Sequence, residues 1–181
     1  MRGGFYRVLK NGGIVIFPTD TVYGIGCRFD NQTAVNHIYQ IKGTAKSQPF
    51  PILVSSIKQV ERIANINPQA KALMSKYWPG GLTIILFPRH PELVSGSHQK
   101  VGFRMPDSDI VTRLIEEVGV PIIGTSANFH GSKPSKSYEE LDADFTKLAD
   151  FVLKGECQLG VESTVVDATV NPPKILRQGL V

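Results

Sequence analysis

The chain has little of what builds metal and redox centres. Its 181 residues include two cysteines, Cys27 and Cys157, which lie far apart and form no CxxC. Four histidines, His37, His90, His98 and His130, are scattered without ligand spacing. A zinc site needs short, repeated intervals between such residues, so no structural metal is expected. No apolar run reaches the roughly 18 residues of a membrane helix. The opening MRGGFYRVLKNGG has no apolar middle of the signal-peptide kind. The expectation is a cytoplasmic location with no membrane partner, where a disulfide is disfavoured. Cys27, behind a strand-like run, reads most simply as a small core residue.

Familiar catalytic and phosphate-binding motifs are missing too. There is no G-x-x-x-x-G-K-[ST] loop and no G-x-G-x-x-G, so a bound nucleotide must be held some other way. GTSAN lacks the second glycine of a serine-hydrolase elbow, and no histidine stands where a base is needed. Glu116-Glu117 and Glu139-Glu140 read as helix surface rather than as the carboxylate pair of a glycosidase. Aromatics are 8% of the chain, too few for a visible single-strand stacking module. The net charge of +4 is a modest surplus without a long basic run. It allows an anionic ligand or an RNA surface and requires neither.

What is present is an alternation of elements. A chain of this length suits one domain with a sizeable core. Residues 5–11 predict a short helix and 13–17 a strand. Residues 31–42 predict a helix with Asn31 as N-cap. Residues 50–54 form a short buried strand, followed by the capping box Ser56-Ile57-Lys58-Gln59. Asn67-Pro68 opens a helix to about Tyr77, and Trp78 behind it packs in the core. Residues 82–87 form a central strand, 88–99 a polar loop and 101–105 a strand. Residues 107–119 form a helix closed by Gly119. Residues 121–128 give a strand, Ser137 to Glu140 a second capping box, and strands follow near 150–153, 163–167 and 174–177. The early part alternates strand and helix, while the tail has strands with little helix between them. That pattern predicts an α/β fold with a mixed, twisted sheet.

Several apolar runs end in hydroxyls, amides or an arginine. Ile14–Phe17 leads into Thr19-Asp20-Thr21, Val101–Phe103 into Arg104, Pro121–Gly124 into Thr125-Ser126-Ala127-Asn128, and Gly160–Glu162 into Ser163-Thr164. In open sheets, ligands bind where loops converge at strand ends. Hydroxyls, backbone N–H groups and arginines are what an adenylate or triphosphate needs. Each piece taken alone also has a plain reading: Thr-Asp-Thr as a loop cap, SAN as a turn, Arg104 as an edge-strand residue. KGTAKSQP (42–49) reads either as a solvated loop or as a segment whose lysines hold phosphates.

Taken together, FPTDTVYGIG, IYQIKGTAKSQPFPILV, YWPGGLTIIL, VGFRMPD, GTSAN, ESTVVD and ILRQG resemble, in that order, the motifs of the YrdC-like family. Its best-known members are threonylcarbamoyl-adenylate synthases of the TsaC type. The resemblance runs from about residue 10 to 179. It implies a twisted open mixed sheet flanked by helices, with a large, concave, positively lined cavity. It also implies synthesis of L-threonylcarbamoyl-adenylate and pyrophosphate from L-threonine, bicarbonate and ATP, with Mg2+ accompanying ATP. A separate transferase complex would then use the adenylate to modify adenosine 37 of tRNA. The family's concave surface suggests tRNA or double-stranded RNA as a further partner.

The resemblance also assigns roles. Thr21, Arg104, Gly124 and Ser163 would meet threonine, with Arg104 on its carboxylate. Lys42, Gln48, Lys100, Ser126, Asn128 and Arg177 would serve the nucleotide or its phosphates. Two departures stand out. The family's K-x-R reads Lys42-Gly43-Thr44, and Lys46 is the nearest residue able to replace the arginine. WPGPLT reads WPGGLT, with Gly81 for proline. The chain stops just past ILRQG, so a single domain over 1–181 is expected. No enzyme nucleophile is required. A divergent relative making another carbamoyl-type adenylate is the alternative that Thr44 keeps open.

Overall fold

The computed structural model describes residues 2–90 and 100–181. The last part of the predicted 88–99 loop, residues 91–99, and the histidine at 98 lie outside the described residues. Ten strands are found among the described residues: β1 Val15–Phe17, β2 Gly24–Arg28, β3 Ile52–Leu53, β4 Ala64–Asn65, β5 Leu82–Pro88, β6 Val101–Arg104, β7 Ile122–Ser126, β8 Phe151–Val152, β9 Thr164–Asp167 and β10 Lys174–Arg177. The helices are α1 Arg2–Lys10, α2 Gln32–Lys42, α3 Ile57–Ile63, α4 Pro68–Tyr77, α5 Asp109–Val118 and α6 Ala143–Thr146. None is long and apolar enough to cross a membrane.

The main sheet runs β10-β9-β5-β6-β3-β7-β2-β1-β8, with β4 paired to β5. Parallel pairs (β1·β8, β3·β6, β5·β9) are interspersed with antiparallel ones. The mixed, open sheet predicted from the tail is therefore observed.

Local chemistry sets most helix ends. Asn31 and Asn67 accept from the backbone N–H of Ala34 and Ala70. Gly119 closes α5 in the left-handed conformation, at φ 81°. The two predicted capping boxes do not form. Ser56 and Ser137 make no side-chain cap bond. Instead the Gln59 and Glu140 side chains accept from the N–H of Ser55 and Lys136, one residue before the expected position. The reach is four residues rather than three.

Strand β2 was hidden in the sequence by Gly24 and Gly26. At Gly26 a Cβ would lie 2.2 Å from the Ile123 carbonyl oxygen, so the close approach of β2 to β7 requires glycine.

Alternation along the strands divides the sheet into two faces. Ile25, Cys27, Ile123, Ile52, Phe103, Val101, Ile84 and Leu86 are almost fully buried and share one core with Val35, Ile38, Met74 and Leu114 of the helices. Trp78 joins this core and donates its indole N–H to Leu82 O at 2.7 Å. The register places Gly24, Gly124, Ser126, Leu53, Gly102, Arg104, Thr83, Ile85, Val165 and Asp167 on the opposite face. That face mixes small and polar residues with the apolar Leu53, Ile85 and Val165, and it is the face that lines a cavity.

Candidate active site

A cavity of about 920 Å³ lies over this second face. Glycines keep its floor low. A Cβ at Gly124 would sit 2.5 Å from Leu53 Cδ1. An adjoining cavity of about 460 Å³ shares Gln48, Ser126, Glu162 and Arg177 with the first.

The loop from Pro18 to Tyr23 walls one end. Backbone bonds pin it: Asp20 O and Thr21 O accept from Leu159 and Gly160 N–H, and Tyr23 exchanges bonds with Ser135 and Ala127. The Tyr23 hydroxyl lies 2.8 and 3.0 Å from the Gly155 and Leu153 carbonyls. So anchored, the loop presents Thr19, Asp20 and Thr21 to Arg104. Thr19 and Thr21 share a hydroxyl–hydroxyl bond of 3.0 Å. Arg104 donates through Nη1 to Thr21 Oγ1 at 2.8 Å, through Nη2 to Asp20 Oδ1 at 2.5 Å and through Nε to Gly80 O at 3.1 Å. Three of its five N–H groups are thus engaged, which leaves two for a ligand in the cavity it lines. Burial pulls the guanidinium below its ordinary value, and the charge of Asp20 opposes that pull. Beside Arg104 lies a second hydroxyl pair, Thr83 Oγ1 to Ser163 Oγ at 2.9 Å.

The rim carries looser ion pairs. Arg177 donates to Glu162 Oε1 at 3.0 Å and to Ser163 O and Oγ at 2.9 and 3.2 Å. Lys100 bonds Asp167 Oδ2 at 3.0 Å. Burial raises the Asp167 carboxyl, but bonds from Thr169 and Lys100 outweigh it and hold the group below its ordinary value. The rim side chains are 45% and 38% exposed for Arg177 and Glu162, and 40% and 11% for Lys100 and Asp167. Arg104 and Asp20 are only 8% and 2% exposed.

Lys42 is a third kind of cation. Its buried Nζ donates to Ser126 O at 2.8 Å, Asn128 O at 2.5 Å and Asn128 Oδ1 at 2.8 Å, none of them a charged group. Burial pulls its amine down to about 8, and the charge of Glu162 opposes that pull. Ser126 donates to the same Asn128 oxygen at 2.6 Å.

Of the residues proposed from sequence, Thr21, Gln48, Lys100, Arg104, Gly124, Ser126, Ser163 and Arg177 line the main cavity. Lys42 and Asn128 line the adjoining one. Lys46 is exposed and lines neither. The structure therefore does not bring it beside Lys42, whose three donors already close the 126–128 loop. Thr44 is half-buried on the adjoining cavity.

The lining is mixed in sign, with three cations and two carboxylates. The main cavity is lined by Lys100, Arg104 and Arg177 and also by Glu162 and Asp167, with Asp20 bonded to Arg104. Each of these cations has its carboxylate. Thr83, Glu162 and Asp167 had been given no role from the sequence, and Asp20 only that of a polar wall in Thr-Asp-Thr. One signal was available: Thr83 is a hydroxyl inside the otherwise apolar run LTIILF, and period two puts it on the face opposite Ile84.

A sequence model of the Sua5/YciO/YrdC family, described as Telomere recombination, matches residues 7–179. The chain is 38% identical over 176 residues to the Threonylcarbamoyl-AMP synthase of Pyrococcus abyssi, covering 94% of this chain and 52% of that protein. It thus spans about half the length of this curated relative. The crystal structure of P. abyssi Sua5 complexed with L-threonine superposes with a TM-score of 0.89 at 36% identity, over 96% of this chain and 52% of the other. The crystal structure of Escherichia coli YciO gives a TM-score of 0.86 at 27% identity, over 97% and 87%. Fold, ordered motifs and a family match over almost every residue agree: the chain belongs to the Sua5/YciO/YrdC family.

Proposed function

We propose that the chain is a nucleotidyltransferase that converts L-threonine, bicarbonate and ATP into L-threonylcarbamoyl-adenylate and pyrophosphate. The observation that carries this reading is the single cavity that joins a buried, preorganised Arg104 to the exposed cations Lys100 and Arg177. The first suits a small carboxylate, and the others suit a polyanion that arrives and leaves. Similarity to the P. abyssi synthase, and to a Sua5 structure complexed with L-threonine, supports it.

The two unengaged N–H groups of Arg104 take the threonine carboxylate as a fork. The Thr83–Ser163 hydroxyls, on β5 and just before β9, stand beside it within reach of the substrate hydroxyl. The deprotonated threonine amine attacks bicarbonate with loss of water, or CO2 with loss of a proton, and gives N-carboxy-threonine. That new carboxylate attacks the α-phosphate of ATP, the bond to the β-phosphate oxygen breaks, and pyrophosphate leaves. The chain supplies orientation and charge stabilisation rather than a nucleophile. Mg2+ enters in this reading with ATP, as part of the MgATP substrate.

The product is a reactive mixed anhydride, so a transferase acting on tRNA must consume it promptly. Incubation with ATP, threonine and bicarbonate should yield pyrophosphate and an adenylate of the mass of threonylcarbamoyl-AMP. Pyrophosphate release that is indifferent to threonine would overturn the reading. It would favour a relative acting on another carbamoyl-type acceptor, the alternative to which Thr44 points. In that case Thr44→Arg should raise threonine-dependent release.

A further inference from the structure

Both oxygens of a buried carboxylate ordinarily find donors. Asp20 does not follow this rule. Its Oδ1 accepts from Arg104, while its Oδ2 is buried and has no hydrogen-bond partner. A neutral amide oxygen could accept that one bond, though more weakly. What only a carboxylate adds at this position is its charge.

The surroundings give that charge a purpose. Arg104 shares its cavity with Lys100 and Arg177. If the reading above holds, one part of the cavity must take phosphates and another an amino acid. An uncompensated guanidinium at the deep end would be a further anchor for phosphate. A polyphosphate gains chiefly from net charge, whereas a zwitterion brings its own ammonium and gains from directed bonds. Neutralising Arg104 therefore weakens the first ligand more than the second. Orientation of the guanidinium does not rest on Asp20 alone, because Thr21 Oγ1 and Gly80 O hold its other nitrogens.

We propose that Asp20 is a positioning and specificity-determining residue, which cancels the charge of Arg104 so that the deep end of the cavity takes a zwitterionic amino acid and turns away phosphate. The proposal rests on the threonine-and-ATP reading.

The test uses the full chain, threonine calorimetry and inorganic pyrophosphate as competitor. Asp20→Asn keeps the accepting oxygen and removes the charge, while placing an NH2 where the partnerless Oδ2 stood. In the wild type, saturating pyrophosphate should change the apparent threonine Kd by less than about two-fold. In Asp20→Asn it should become threonine-competitive and raise that Kd by roughly ten-fold or more. Thr21→Val removes a neutral bond on the same guanidinium, and should weaken threonine binding without creating competition. A variant Asp20→Asn that loses threonine affinity with no gain in competition has only a structural defect, and overturns the proposal. So does pyrophosphate displacement of threonine from the wild type, which needs no variant to fold. A wild type that binds no threonine overturns the functional reading, and this proposal with it.

Discussion

The deep and outer parts of the main cavity use the same chemistry, a cation beside a carboxylate, for opposite ends. At the deep end Arg104 and Asp20 meet at 2.5 Å, almost without solvent. At the rim Arg177–Glu162 and Lys100–Asp167 meet at 3.0 Å, with both cations about two-fifths exposed or more. An exposed pair contributes little and exchanges partners readily. A buried pair is rigid, and removing one member strands the other. On the proposed reading, the deep pair is a fixed template, whereas the rim pairs can open for phosphates. The contrast teaches that counting cations along a cavity says little. Burial and partner decide what each can do.

The largest effect that would break this contrast is on stability. Arg104→Ala leaves Asp20 buried without its partner and should cost about 3–5 kcal/mol, read as a shift in urea midpoint. Arg177→Ala should cost less than about 1 kcal/mol, because Glu162 simply returns to solvent. Equal losses in the two variants would erase the distinction. A smaller effect sharpens the deep end: Thr21→Val should raise the threonine KM several-fold and lower stability by about 1 kcal/mol. Smaller still is the effect of salt. ATP binding should weaken between low and moderate ionic strength, while threonine binding changes little, since screening acts on the exposed charges.

The same contrast marks what was legible in the sequence. Alternation alone places Gly102 and Arg104 on one face of β6 and Val101 and Phe103 on the other, so the arginine could be read as facing a site. Its pairing with Asp20 joins residues 84 apart, and the capture of Lys42 by Asn128 joins residues 86 apart. No local pattern reveals such contacts, and the positive cavity was expected from the family resemblance alone. Strand β2 failed for a related reason. Its glycines look like a loop until the close approach of Ile123 O is known. Caps at Asn31, Asn67 and Gly119 were legible because they bond within four residues. The two capping boxes failed by a single residue of register, which local sequence does not specify.

Lys42, buried with neutral partners only, extends the comparison to pH. Its amine falls from the ordinary 10.5 to about 8, so the folded chain disfavours its charged form. That penalty is full below pH 8 and is relieved as pH rises from 8 toward 10.5. Burial pushes Cys27 and Cys157 the other way, from 9.0 up to about 12 and about 11. The unfolded chain sheds those thiol protons first, which favours unfolding above about pH 9. Stability should therefore rise from about pH 8 to 9 and decline beyond, as read from urea midpoints. In Lys42→Met the rise should vanish. A wild-type midpoint that falls steadily from pH 8 would contradict the burial assigned to Lys42.

The division of labour itself is tested most directly by crossed titrations of threonine and ATP on Arg104→Ala and Arg177→Ala, each checked for folding. Arg104→Ala should weaken threonine by roughly ten-fold or more and leave ATP nearly unaffected. Arg177→Ala should weaken ATP several-fold and threonine much less. If each variant loses both ligands to the same extent, the cavity has no separate deep and outer functions, and the account is wrong.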